Sequence, residues 1–141
     1  MAKKLGNNYR LFVRGTDGTT FGQPAGQGNL SVTRGKGFSS SATKDQEGVD
    51  TQTPGLRTIT LKQEIVPDLP DAAGYTRMET LDKTNAEEVY QIRKKPFATA
   101  DVVFECSMFT SLDSTDFNQG DTVKVPVTLQ PAAQPTVDAL S

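Results

Sequence analysis

Apolar and polar residues alternate with a period of two over most of this chain. The cleanest case is Leu56–Ile65, where Ile59, Leu61 and Ile65 share one side and Thr58, Thr60, Lys62 and Glu64 share the other. Such a pattern predicts a strand with one buried and one wet face. Thr122–Leu129 alternates Val123, Val125, Val127 and Leu129 against Thr122, Lys124 and Thr128. Ala100–Leu112 sets Val102, Phe104, Cys106 and Met108 against Asp101, Glu105 and Ser107. Shorter strands are expected at Tyr9–Arg14, Asn29–Arg34 and Glu87–Lys95. One segment breaks the pattern: across Asp71–Lys83, Tyr75, Met78 and Leu81 fall three apart, which predicts a short amphipathic helix with Asp71 as N-cap. Alone it would be marginal, so it must pack on the sheet.

Between two strand patterns lies Gly35–Gly55 (GKGFSSSATKDQEGVDTQTPG), which is polar and rich in Ser, Thr and Gly. Most connections in compact domains run about 4–6 residues, and much longer ones are usually functional or disordered. This segment is expected to be an arm that works outside the domain. Pro126 cannot donate to a ladder and, with Lys124, assigns the last strand to an edge or a bulge. Gln130–Ser141 contains two prolines and few apolar anchors, and reads as an extended tail. The expected fold is mainly β. It is a single domain over residues 1–141, an antiparallel sandwich or small barrel with one flanking helix, a long inter-strand arm and a C-terminal extension.

Composition narrows the chemistry. Hydrophobic residues make up 35% of the chain, low for a self-contained globule, so part of it is expected to be disordered or to be ordered by other subunits. The net charge of −2 gives no basic excess for nucleic-acid binding. With no His and one Cys there is no Ser-His-Asp or Cys-His arrangement and no internal disulfide. Cys106 reads as a small core residue. The N-terminus lacks the apolar stretch of a signal peptide, and no run is long enough to span a bilayer.

Each candidate motif has a plainer account. Gly35-Lys36-Gly37 lacks the phosphate-loop spacing and a following helix. Asp113, Asp116 and Asp121 do not fit a calcium loop and read as turn formers. Glu87 and Glu88 are strand neighbours and point to opposite faces, while Asp101 and Glu105 stand too far apart on a strand to act as a pair. Arg93-Lys94-Lys95 reads as a strand end facing solvent, or as a charge partner for a neighbouring subunit. No catalytic, cofactor or metal residues are expected.

The order of parts resembles the tail tube (major tail) proteins of long-tailed bacteriophages. It carries a strand pair with a polar arm between Arg34 and Leu56, then LRTITLKQEI, a single helix near Gly74 to Lys83, the strand VVFECSMFTSL and the ending GDTVKVPVTLQPAAQPTV. The resemblance covers nearly the whole chain. It implies a β-sandwich related to the type VI secretion tube fold. Copies would close into hexameric rings that stack into a hollow tube, which conducts DNA without binding it and encloses a tape measure protein. It implies a virion location after synthesis in the host cytoplasm. The arm would make contacts between rings through Lys36, Phe38, Lys44, Asp45, Glu47 and Asp50. Residues 1–8 and 130–141 would reach neighbouring subunits. The lumen would be lined by Thr58, Thr60, Glu64, Asp101 and Glu105, and Lys124 and Pro126 would mark a subunit-edge strand. Two other readings stay open, another β-rich virion assembly protein and a binding module whose long loop grips a ligand.

Overall fold

The structure, a computed structural model, describes residues 6–40, 52–115, 117, 119–120 and 122–139. After a 3₁₀ turn at Gly6–Asn8 come β1 (Tyr9–Arg14), β2 (Phe21–Gly22), β3 (Gln27–Ser40) and β4 (Gln52–Ile65). They are followed by α1 (Tyr75–Thr84), β5 (Glu87–Lys94), β6 (Val102–Leu112), β7 (Val125–Pro131) and β8 (Val137–Asp138). All described strand pairs are antiparallel, in the order β2-β1-β5-β6-β7-β4-β3, with β8 paired to β6. The mainly-β sandwich with one helix is what the alternation predicts.

Alternation sets the inner face. Residues paired across antiparallel strands lie on one side of the sheet, so Leu61↔Leu129↔Thr110 and Leu11↔Ile92↔Phe104 form inward rows. Tyr90, Cys106, Met108, Val125 and Val127 join them, and the helix adds Met78 and Leu81. Cys106 is 1% exposed, as its pattern required; burial raises its thiol pKa, and its Sγ donates to the Ala133 carbonyl. The register shift between Ile92 and Arg93 pairs Arg93 with Val102, so Val103 and not Val102 reaches the core.

The helix starts at Tyr75, four residues past the expected cap. Asp71 still serves its first turn, because its carboxylate accepts the Tyr75 amide at 3.1 Å and the Ala25 amide at 3.0 Å. Asn85, with φ 55°, ends the helix in the left-handed region.

Three expectations change. First, the described part of the arm is strand. Gly35–Ser40 and Gln52–Gly55 continue β3 and β4 as a two-stranded ribbon (Lys36↔Arg57, Phe38↔Pro54, Ser40↔Gln52), while on β4 only residues 61–65 pair with β7. The ribbon therefore runs past the core, with a register shift between Lys36 and Phe38. Second, β7 lies between β6 and β4, so Pro126 is on an interior strand of the sheet. Its carbonyl accepts the Asp113 amide at 2.9 Å, so its nitrogen faces the same side, past the last β6–β7 pair at Leu112↔Val127. Proline is tolerated where the ladder stops. Lys124 is exposed just before this strand. Third, the C-terminal segment lies along its own domain. The Ala132, Thr136 and Ala139 amides donate to the Ser107, Glu105 and Val103 carbonyls at 2.8–2.9 Å, so the chain after β7 covers the lower half of the β6 edge.

The last strand of the order, β3, also meets β1. The Gln27 side chain accepts the Leu11 amide at 2.9 Å and donates to the Leu11 carbonyl at 2.8 Å, so one amide does the work of a ladder rung between β3 and β1. Removing it leaves both Leu11 groups without their partner, at a cost of about 1–3 kcal/mol. Gln27→Ala should lower the urea-unfolding free energy by that amount and speed Leu11 amide exchange. Unchanged exchange at Leu11 would show that the seam closes without Gln27.

Candidate functional site: the hairpin, its clasp and the polar face

The β3–β4 hairpin is tied down at its root. Arg34 and Lys36 of β3 share a face with Ile59 and Arg57 of β4. Asp138 of β8 lies opposite Phe104, on the inner side of β6. Arg34 donates to one oxygen of Asp138 at 2.7 Å and Arg57 to the other at 2.8 Å. The Arg34 hydrogen bond, backed by Arg57 and opposed by modest burial, holds the Asp138 pKa below the usual aspartate value. Both arginines are half exposed, so each bond contributes about 0.2–1 kcal/mol. Their effect is geometric: one carboxylate joins the C-terminal strand to both strands of the hairpin.

Beyond the clasp the ribbon is exposed on both sides, and Phe38 and Leu56 are 61% and 89% accessible. Of the arm residues expected from sequence, Lys36 and Phe38 lie on this ribbon, while Lys44, Asp45, Glu47 and Asp50 lie outside the described residues.

The outward face of β3, β4, β7 and β6 is nearly flat in chemistry. Register gives the row Ser31–Lys62–Thr128–Ser111 and the pairs Thr33–Thr60 and Gln130–Phe109, which the Thr60 hydroxyl joins by donating to the Gln130 side chain at 3.3 Å. Thr58 and Glu64 lie on the same face of β4, so three of the expected lining residues stand together. Asp101 is elsewhere, and Glu105 is on the outward side of β6 but below these rows. Asp101 sits in the turn before β6 and accepts the Ala98 amide at 3.0 Å. Glu105 lies four residues below Phe109 and accepts from the Gln91 amide at 2.6 Å. The shared face is thus dominated by hydroxyl and amide groups, with Lys62 and Glu64 as its charges on β4.

The other half of that outer surface is covered. Arg93 is 6% exposed, with its guanidinium 4.5 Å from the Phe12 ring centre and 5.3 Å from that of Phe21. It donates to Gln91 at 3.0 Å, so it is not the solvent-facing end of a basic run. Burial lowers its pKa, against the opposing fields of Asp101 and Glu105. Arg10 stacks over Phe97 at 4.5 Å.

Glu88 is the ionic centre of the opposite end. It is 7% exposed and accepts from Arg14 at 2.6 Å and from Arg77 at 2.5 Å, joining β1, β5 and α1. Its local sequence, a Glu-Glu pair opening a strand, suggested only a solvated start. Nothing local signals Arg14 or Arg77, which come from 74 and 11 residues away.

A cleft of about 810 Å³ follows the seam between β3 and β1, lined by Leu30, Val32, Ile92, Val103 and Phe104 and rimmed by Arg10, Arg34 and Asp138. It holds no cluster of catalytic type. Among the described residues no group of three or more Cys, Asp or Glu is placed to hold a metal, and no helix is long and apolar enough to cross a membrane.

No protein-family model and no curated protein sequence matches the chain. Solved structures do match in fold. The tail of an empty gene transfer agent particle, determined with helical refinement and C6 symmetry, aligns over 97% of this chain and 100% of its own, with TM-score 0.81 and 12% identity. The virion of a native gene transfer agent particle gives the same coverages, TM-score 0.77 and 12% identity. The SPP1 tail tube, solved by solid-state NMR and cryo EM, aligns over 96% of this chain and 80% of its own, with TM-score 0.70 and 11% identity. The chain has the fold of these tail and virion structures.

The Glu88 centre makes a pH prediction. Burial opposes ionisation, but hydrogen bonds from the Val89 amide, Arg14 and Arg77 outweigh it and lower the pKa from 4.5. A depressed carboxylate stabilises the fold fully above its unfolded value and loses that contribution as pH falls through the folded value. Urea midpoints of the wild type should thus fall steadily below about pH 4.5. Glu88→Gln should be less stable at pH 7 by about 1–3 kcal/mol and lose less on acidification. Parallel pH profiles for the two proteins would rule out Glu88 as a contributor.

Proposed function

We propose that this chain is a tail tube subunit, a structural virion protein with no enzymatic role. Copies close into rings, six per ring by analogy with the C6 tail it resembles in fold. The rings stack into a hollow tube that carries DNA and encloses a tape measure protein. The observation that carries this reading is the end-to-end fold match at TM-score 0.81, joined to one feature of this chain: β3 is 14 residues long and pairs on one side only.

An open strand edge of that length templates pairing with another chain. Ring closure removes it. The polar face of β3, β4, β7 and β6 would then line the channel, its Thr, Ser and Gln side chains offering DNA little charge to bind. Of the acidic lining expected from sequence, Glu64 and Glu105 are on this side of the sheet, with Glu105 tied to Gln91 below the rows, while Asp101 lies in the turn before β6. The ribbon, with Lys36 and Phe38, would extend toward the next ring.

Electron microscopy of the purified protein at rising concentration tests this. Hollow tubes or rings of constant diameter are expected. A monomer that stays dispersed at millimolar concentration would contradict the proposal and favour the binding-module reading, for which the seam cleft would be the place to look.

A further inference from the structure

We propose that the seam cleft is a binding site for a long-chain carboxylate, a fatty acid with a single acyl chain. The proposal goes beyond the tail-tube reading and stands whether or not copies form tubes.

The cleft exists because the inner face of β3 has too little packed against it. Leu30, Val32 and Arg34 pair with Gln63, Leu61 and Ile59, all buried on the inner side of β4. The β3 side chains therefore point inward as well. Leu30 and Val32 are nonetheless only partly buried, and the Arg34 side chain is 48% exposed. Across the gap stand Ile92 of β5 and Val103 and Phe104 of β6. The Gln27 amide ties β3 to β1 at Leu11. Past that rung, from Gly28 to Arg34, β3 forms one wall of the cleft.

Shape and chemistry select the occupant. From Gly28 to Arg34 the wall is roughly 20 Å long at the rise of a strand. The side chains along it and opposite it, Leu30, Val32, Ile92, Val103 and Phe104, are apolar. Such a slot holds water poorly. A peptide lying in it would leave backbone amides unpaired against those walls. A compact ring would fill only part of the length. A run of methylenes suits both the length and the chemistry, and the cleft has the volume of sites that enclose one small molecule.

The rim is basic. The single charge of Asp138 is met by Arg34 at 2.7 Å and by Arg57 at 2.8 Å, so that group carries surplus positive charge. Arg10 has no carboxylate partner among the described residues. Its guanidinium lies over the Phe97 ring, 4.5 Å from the centre. Stacking uses the face of the guanidinium and leaves its N–H edge for a carboxylate, which it can hold through two parallel hydrogen bonds. A fatty acid with its chain in the slot and its carboxylate on Arg10 satisfies floor and rim together. Free phosphate would meet the rim and leave the floor bare, and a neutral alkane would do the reverse.

The test titrates the full-length protein with octanoate, decanoate and dodecanoate below their micelle concentrations, read by amide and methyl NMR shifts. Saturable binding of one molecule per chain is expected, with shifts centred on Leu30, Val32, Ile92 and Phe104. The Kd should fall about fourfold for each added methylene. Arg10→Gln should weaken dodecanoate about tenfold. It should leave dodecanol binding unchanged, a split that a merely structural role for Arg10 would not produce. Val32→Trp fills the slot and should abolish binding of both. The chain-length series uses the wild type alone, so it does not depend on a variant folding. Binding that ignores chain length, survives Val32→Trp, or shifts the exposed Phe38 and Leu56 instead would overturn the site. Protection of Leu30 and Val32 only on assembly, with no carboxylate bound by the free chain, would give the slot to a second copy and overturn it too. None of these results bears on tube formation, which micrographs of the same protein decide separately.

Discussion

The governing constraint is the hydrogen-bonding demand of the sheet edges. Each strand residue brings a donor and an acceptor that must find a partner when buried. This fold meets the demand by two means and leaves one edge unmet. Gln27 closes the gap between β1 and β3 with a side-chain amide. The segment after β7 bends back and pairs with the part of β6 that β7 leaves open. Past Gln27 the outer edge of β3 has neither device, and it runs through the longest strand pair of the domain. On the reading proposed above, a neighbouring copy completes it.

The hairpin and the C-terminal strand are mechanically linked. Asp138 reaches Arg34 and Arg57 together, so a displacement of β8 changes the footing of both hairpin strands. The two segments expected to serve neighbours independently are thus joined in a single copy. The ionic group at the other end, Arg14–Glu88–Arg77, fixes the helix to β1 and β5. Between them lies an apolar core in which strand alternation alone places nearly every residue.

The legible parts of the sequence were those with one buried face. Ile59, Leu61 and Ile65 announced β4 because water is excluded on one side only, and Met78 and Leu81 announced the helix for the same reason. The ribbon at 35–40 and 52–55 has a loop-like sequence because it is wet on both sides, and a strand without a buried face leaves no period to detect. β2, two residues long, was hidden in turn-forming neighbours. Pro126 misled because a proline reports a missing donor and not the sheet edge itself; here the donor is missing where a ladder ends. Arg93 looked solvent-facing because its aromatic cover, Phe12 and Phe21, is remote in sequence. The clasp partners were invisible for the same reason, since Arg34 and Asp138 are 104 residues apart. Tail-tube likeness, by contrast, was legible from the order of parts, because that order is what the fold conserves at 12% identity.

The most direct measurement is residue-resolved hydrogen exchange along β3, between Asn29 and Gly35, in dispersed and assembled protein. Alternate amides there point away from β4. The account predicts fast exchange at those amides in the single copy and strong protection once rings have closed. Equal exchange in both states would mean that no neighbour completes this edge, and the central claim would fail.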